Sequence, residues 1–212
     1  MKVCVLMFYD EAIKEYGSIN YEINKKYCDK YGLDIILSTT KKTQRHSAWE
    51  RLPLILEHLP NYDYVIWIDA DAFFYNDGTN IVEEIIYKKL DVNFIFSNDI
   101  GNRNINTGIF IVKNSEYSIN FITKWAYDEE LYINNIYPKW WDQGVLITMI
   151  DKNILDIKNN HIFYDYNILQ HFYQNILFNK KTTQKPFVLH LAGQFKSLRI
   201  SVSKEYYELI NK

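Results

Sequence analysis

The chain has 212 residues, enough for one domain with a sizeable core. It is 48% hydrophobic and 24% charged, and a formal net charge of −2 with no long basic run argues against a nucleic-acid partner. Cys4 and Cys28 lack metal-binding or disulfide-framework spacing, and the apolar run of residues 3–8 is too short for a signal-peptide core or a membrane span, so a soluble, cytoplasmic chain is expected.

Residues 2–9 read as a buried strand. Ser18 is placed to cap a helix over residues 20–31, and Gly32 to stop it. Residues 33–37 are a second strand, 38–46 a polar loop, and 48–59 a second helix ended by Pro60 and Asn61. A third strand, rich in aromatic and β-branched residues, runs from Tyr62 into Asp69-Ala70-Asp71. This alternation predicts an α/β fold with right-handed crossovers, a mainly parallel sheet and helices on both faces. Ligands of such sheets bind beyond the carboxyl ends of the strands, where Tyr9, the loop after Leu37 and Asp69–Asp71 fall.

Further along, a helix over 80–90 and a strand over 92–96 precede a polar loop at 97–103 that carries Asp99, Asn102 and Arg103. Asn104 to Val112 reads as a turn feeding a strand, and 115–131 as a helix whose Phe121 and Trp125, with Tyr132 at the same spacing, belong to the core. Trp140-Trp141-Asp142-Gln143 opens another helix. A strand pair at 154–157 and 162–166, a Tyr/Phe/Asn-rich loop, a late strand at 187–193 and a terminal helix at 203–211 complete the chain. Without repeats or Pro/Gly linkers, 1–212 is read as one domain.

Two carboxylates at the mouth of an apolar strand are costly to desolvate unpartnered, so Asp69 and Asp71 call for a cation. If the strand continued through Ala70, its alternation would put both on one side. A hard divalent ion such as Mg²⁺ or Mn²⁺ suits oxygen ligands, and such ions commonly hold phosphates too.

Four motifs stand in order: the Asp-Ala-Asp strand, Asn106-Thr107-Gly108-Ile109-Phe110, Trp141-Asp142-Gln143-Gly144, and Val188-Leu189-His190-Leu191-Ala192-Gly193. Together they resemble nucleotide-sugar-dependent glycosyltransferases of the GT-A fold, above all the galactosyl/mannosyl transferase family and the glycogenin-like group. The likeness runs from Val3 to about Lys196. The segment from His46 to Pro53 also resembles that family's Trp-x-Lys-Leu stretch, with Arg51 in place of Lys, and Arg can hold phosphate bidentately.

The resemblance implies a Rossmann-like GT-A domain, with a nucleotide-binding part over about 1–97 and a donor-sugar and acceptor part over about 98–212. It implies Mn²⁺ or Mg²⁺ held by Asp71, Asp69 and His190, with Asp69 contacting either the metal or the ribose. The donor implied is a UDP-sugar, by default a hexose, and the acceptor a glycan or other hydroxyl compound. Phe8 and Tyr9, with Tyr16 nearby, would hold the base. Arg51, Ala70, Gly193 and Lys196 would face the nucleotide, and Asn106, Thr107 and Gly108 would line the donor sugar. Asp142 is the base if the reaction inverts. If it retains, as the resembled families do, the departing phosphate takes the proton and the amide oxygen of Gln143 stabilises the oxocarbenium-like centre. A non-catalytic sugar-binding protein, a haloacid-dehalogenase-type phosphohydrolase and a two-carboxylate glycoside hydrolase are the rival readings. Richness in Asn, Ile, Tyr and Lys fits an AT-rich or viral genome, and hence an enzyme acting in a host cell.

Overall fold

A computed structural model describes residues 1–99, 105–165, 168–173 and 186–212. The first strand, β1 (Val3–Phe8), is buried throughout because other elements cover both its faces. Parallel to it on either side run β2 (Asp34–Ser38) and β3 (Tyr64–Ile68). Beyond β3 lie β6 (Ile105–Lys113), β5 (Phe94–Asn98) and β7 (His161–Tyr164), giving the order β2-β1-β3-β6-β5-β7. β6 is antiparallel to both of its neighbours, whereas β5 and β7 are parallel. The sheet is thus mainly parallel, with one reversed strand in its middle. That reversal brings the first residues of β6 to the edge where β1 and β3 end.

Alternation along β1 divides the core. Cys4, Leu6 and Phe8 pack on one face with Leu52 and Ile55 of α2 (Arg51–His58), Phe121 and Trp125 of α3 (Glu116–Tyr127), and Leu146 of α5 (Trp141–Asp151). Val3, Val5 and Met7 pack on the other face with Tyr27 and Cys28 of α1 (Lys14–Tyr31). Among the described residues no helix is long and apolar enough to cross a membrane.

Several boundaries differ from expectation, each for a local reason. α1 starts at Lys14 with no side-chain cap, so Ser18 lies inside it. Its buried stripe begins at Tyr16, and packing of that stripe outweighs a capping signal further on. Gly32 does end it, at φ 67°, with its N–H on the Cys28 carbonyl. The helix expected over 80–90 is one wide turn, Val82–Ile86. The helix expected over 115–131 breaks at Asp128, whose carboxylate accepts from the Leu131 N–H at 2.9 Å and opens α4 (Glu129–Ile133), so that Tyr132 lies exposed outside the core that Phe121 and Trp125 join. Residues expected to form a strand at 154–157 lie in a 3-10 segment, Ile154–Asn159, where the Asn153 and Asn159 side chains donate to Asp156.

The late strand does not join the central sheet. It is β9 (Val188–His190), antiparallel to β4 (Ala72–Phe74) and parallel to β8 (Gln170–Phe172) in a second, three-stranded sheet. The terminal helix, α6, covers Lys196–Leu209 and so begins earlier than expected. Asn102, Arg103 and Tyr166 lie outside the described residues.

Candidate active site

The two carboxylates converge through a turn rather than through the pleat of a continued strand. β3 ends at Ile68, the Asp69 N–H reaches back to the Gly108 carbonyl at 2.8 Å, and the Ala72 N–H closes the turn on the Asp69 carbonyl at 2.9 Å. Ala70 is buried at the apex, its carbonyl accepting from Asn20 at 2.8 Å. The chain then enters β4, where Ala72 stands opposite His190.

That register delivers the imidazole to the carboxylates. His190 Nε2 lies 3.2 Å from Asp71 Oδ1, and the candidate ligand atoms of Asp69, Asp71 and His190 all fall within 4.8 Å of one another. Gln170 Oε1 accepts from His190 Nδ1 at 2.9 Å and so aims Nε2 at Asp71. Glycine at 108 is needed here, since a Cβ there would stand 2.0 Å from His190 Cε1. Arg199 Nη2 approaches Asp71 Oδ2 at 2.9 Å. Burial raises the Asp71 carboxyl, but His190 and Arg199 outweigh it and hold the group below the usual carboxylate range. Burial likewise lowers the His190 imidazole, yet Asp71 outweighs it and the net shift is upward. Two carboxylates and an imidazole form a donor set that fits a divalent ion such as Mn²⁺.

Arg51 divides the second wall. Its guanidinium donates to the carbonyls of Ala48 at 2.9 Å and Thr107 at 2.5 Å, and stands 3.2 Å from Asp69 Oδ1 and 3.3 Å from Asp142 Oδ2. It is 5% exposed. Arg51 lines the cleft, and these contacts with the protein fix its guanidinium in that wall. Trp67 Nε1 adds a hydrogen bond to Asp69 Oδ1 at 2.7 Å. Asp142 is 1% exposed, and burial, partly offset by Arg51 and reinforced by Asp69, pushes its carboxyl up to about 7.

Gln143 is oriented by Thr107, whose N–H and hydroxyl donate to Gln143 Oε1 at 3.0 and 3.2 Å. A backbone N–H can only donate, which assigns the amide oxygen to Thr107. The oxygen expected to face a reacting centre is thus already engaged.

These walls enclose a cleft of about 840 Å³ that Phe8, Ala70, Asn106 and Gly193 also line. Gly193 sits at φ 71°, and Asn106 accepts from the Gly108 N–H at 2.9 Å. Two expected residues do not reach it. Tyr9 alternates away from Phe8 and packs over Gly17. Lys196 is exposed, with Nζ on the Ala12 carbonyl at 3.2 Å and near Glu15 at 3.8 Å, drawn there by the early start of α6. Tyr16 does line the cleft, as does Asp99. Sequence reasoning missed Gln170, Arg199 and Asp10, the last of which lines the cleft and accepts from the Ser47 hydroxyl at 2.7 Å. Asp10 follows β1 directly and could have been read from its position, whereas the other two lie in no motif.

The family model described as "Protein of unknown function, DUF273" matches residues 25–187. Xyloglucan 6-xylosyltransferase 4 of Arabidopsis thaliana is 28% identical over 131 residues, 55% of this chain and 25% of that protein. Probable glycosyltransferase 6 of Oryza sativa subsp. indica is 27% identical over 112 residues, 47% and 22% respectively. The chain thus spans about a quarter of the length of the curated relatives it matches. Among solved structures, a glycosyltransferase involved in glycosylation of the major capsid of PBCV-1 superposes with a TM-score of 0.78 at 15% identity, covering 97% of this chain and 100% of that one. The galactosyltransferase LgtC, in complex with donor and acceptor sugar analogues, gives 0.58 at 12% identity, covering 97% and 94%. The fold is that of GT-A glycosyltransferases.

Proposed function

The chain belongs to the DUF273 family and has the GT-A fold, and on that footing we propose that it is a metal-dependent glycosyltransferase. It moves a hexose from a UDP-sugar to a glycan or other hydroxyl acceptor, with retention of configuration. The observation that carries this reading is the meeting of Asp69, Asp71 and His190 at one edge of the cleft, with Gly108 keeping space for the imidazole.

Asp71 and His190 would hold Mn²⁺, with Asp69 beside them. A divalent ion there neutralises the diphosphate and stabilises charge on the leaving group. Gly193 lets backbone approach the phosphates, and Arg199 supplies a second positive charge where Lys196 had been expected. Phe8 and Tyr16 flank the base, while Asn106 and the Gln143 amide N–H₂ face the donor sugar. Retention is supported by the burial of Asp142 against Arg51, which suits a positioning group better than a base for an incoming hydroxyl. The leaving phosphate then takes the acceptor's proton.

Calorimetric titration of UDP with Mn²⁺, and again with chelator, tests the assignment. Metal-dependent UDP binding by the wild type, lost in Asp71→Ala with the circular dichroism unchanged, is the expected result. Undiminished Mn²⁺-dependent binding in that variant would sink the site, and release of hexose from UDP-glucose or UDP-galactose would separate an enzyme from a mere binder.

A further inference from the structure

At the mouth of the cleft, directly before Asp142 and Gln143, two tryptophans remain exposed. Trp140 and Trp141 are 40% and 44% exposed, and both line the cleft. Large aromatic rings bury much apolar area when they can, so two adjacent ones left open beside a site need an explanation. Each is backed by a second ring. His46 lies flat against Trp141, with centroids 4.0 Å apart and planes 4° from parallel, and Tyr137 stacks on Trp140 at 5.0 Å and 12°.

The backbone beneath them is built for that display. Trp141 sits at φ 48° and ψ −122°, which a bulky residue rarely adopts and which costs about 1–3 kcal/mol. Asn135 Nδ2 holds the Trp141 carbonyl at 3.0 Å, and the Trp140 N–H binds the Tyr137 carbonyl at 2.9 Å. Gly144 lets that loop close down, because a Cβ there would meet the Tyr137 carbonyl at 2.4 Å. His46 accepts from the Ala48 N–H through Nδ1 at 3.2 Å, leaving an Nε2–H donor that has no partner among the described residues.

We propose that Trp140 and Trp141, backed by Tyr137 and His46, form a stacking platform for the pyranose rings of a saccharide acceptor. The electron-rich face of an aromatic ring attracts the C–H face of a sugar, and a sugar's rim hydroxyls need donors and acceptors such as the His46 Nε2–H. A lipid or unfolded peptide would exploit the apolar surface but not ring faces held flat at a polar cleft. Calling the saccharide an acceptor rests on the glycosyltransferase reading. The platform itself does not.

The test applies fluorescently labelled protein to a broad glycan array with UDP and Mn²⁺ present, comparing wild type with Trp140→Ala, Trp141→Ala and Trp141→Phe. The proposal expects wild-type binding to a subset of glycans, at least a tenfold loss in both alanine variants, and a loss under threefold in Trp141→Phe, which keeps a ring face. Calorimetric UDP affinity, measured in parallel, separates the platform from the donor site. Failure to bind UDP would refute the glycosyltransferase reading while leaving glycan binding to be scored independently. Equal glycan binding by the alanine variants overturns the platform. So does a wild type that binds no glycan, or one that instead partitions onto phosphatidylcholine/phosphatidylglycerol vesicles.

Discussion

Gly108→Ala isolates the steric condition on which the meeting of His190 with Asp71 depends. The added methyl would lie 2.0 Å from His190 Cε1 and 2.5 Å from Nδ1, so the ring must retreat by more than about 1 Å to reach ordinary contact near 3.5 Å. It has little room to do so. His190 is 3% exposed and tied at both nitrogens, to Gln170 at 2.9 Å and Asp71 at 3.2 Å. Overpacking of this kind costs about 1–3 kcal/mol, and loss of one charge-assisted hydrogen bond about 1.5–3 kcal/mol. Taking the lower half of each range gives a destabilisation of about 3 kcal/mol. For a chain of this length each kcal/mol moves Tm by about 2–4 °C, so the midpoint should fall by roughly 9 °C. The assay is thermal unfolding of the metal-free protein by far-UV circular dichroism, alongside Gly108→Ala/His190→Ala. Removing the ring relieves the clash, so the double variant should be more stable than the sum of the single effects. A single variant within about 2 °C of wild type, or strictly additive effects, would refute the reasoning.

Thr107→Val removes the hydroxyl bond to Gln143 but keeps the backbone one; turnover should fall about threefold to tenfold with donor KM unchanged, and Thr107→Ser should restore it. An effect confined to KM would refute the positioning role. Arg51→Met removes the cation beside Asp142 and should cost about 3–5 kcal/mol in urea denaturation at pH ~8, where that carboxylate is ionised, with partial recovery on adding Asp142→Asn. Asp142 also gives the metal-free protein a pH signature. Its carboxyl rises from 3.8 to about 7 on folding, so between those values the native state holds a proton that the unfolded state has lost, and stability contributed by this group falls as pH rises through that window. Urea denaturation should therefore show a smaller loss from pH ~5 to pH ~8 in Asp142→Asn than in wild type. An identical slope would place the titration elsewhere.

Much of this site was legible because its chemistry lies in short, ordered motifs. Asp69, Asp71 and His190 were read as one ligand set, and the described geometry brings them together. The means of their meeting was not legible. Nothing in the sequence around Asn104 to Val112 says that the strand runs backwards, since an apolar strand looks alike in either direction. β8 is three residues long, and Gln170 follows a Tyr- and Asn-rich stretch with no alternation to betray a strand. Arg51 is placed at the nucleotide by its motif position, and it does line the cleft, but its bonds to the Thr107 carbonyl, Asp69 and Asp142 depend on distant segments that the motif does not name. Lys196 and Arg199 differ by one helical turn, and only the start of α6 decides which faces Asp71.

The separation of Asp71 from His190, 119 positions along the chain, has a consequence for the order of biosynthesis. β1, β3 and β6 can come together on the ribosome once residue 113 has emerged, and with them Asp69 gains its backbone bond to Gly108. Asp71 must then wait for β9 and α6, which carry both of its cationic partners, His190 and Arg199. Throughout that interval Asp69 has Arg51 beside it, whereas Asp71 has neither of its cationic partners. A chain halted before residue 190 has two of the three candidate ligands, Asp69 and Asp71, and lacks the imidazole that completes the set.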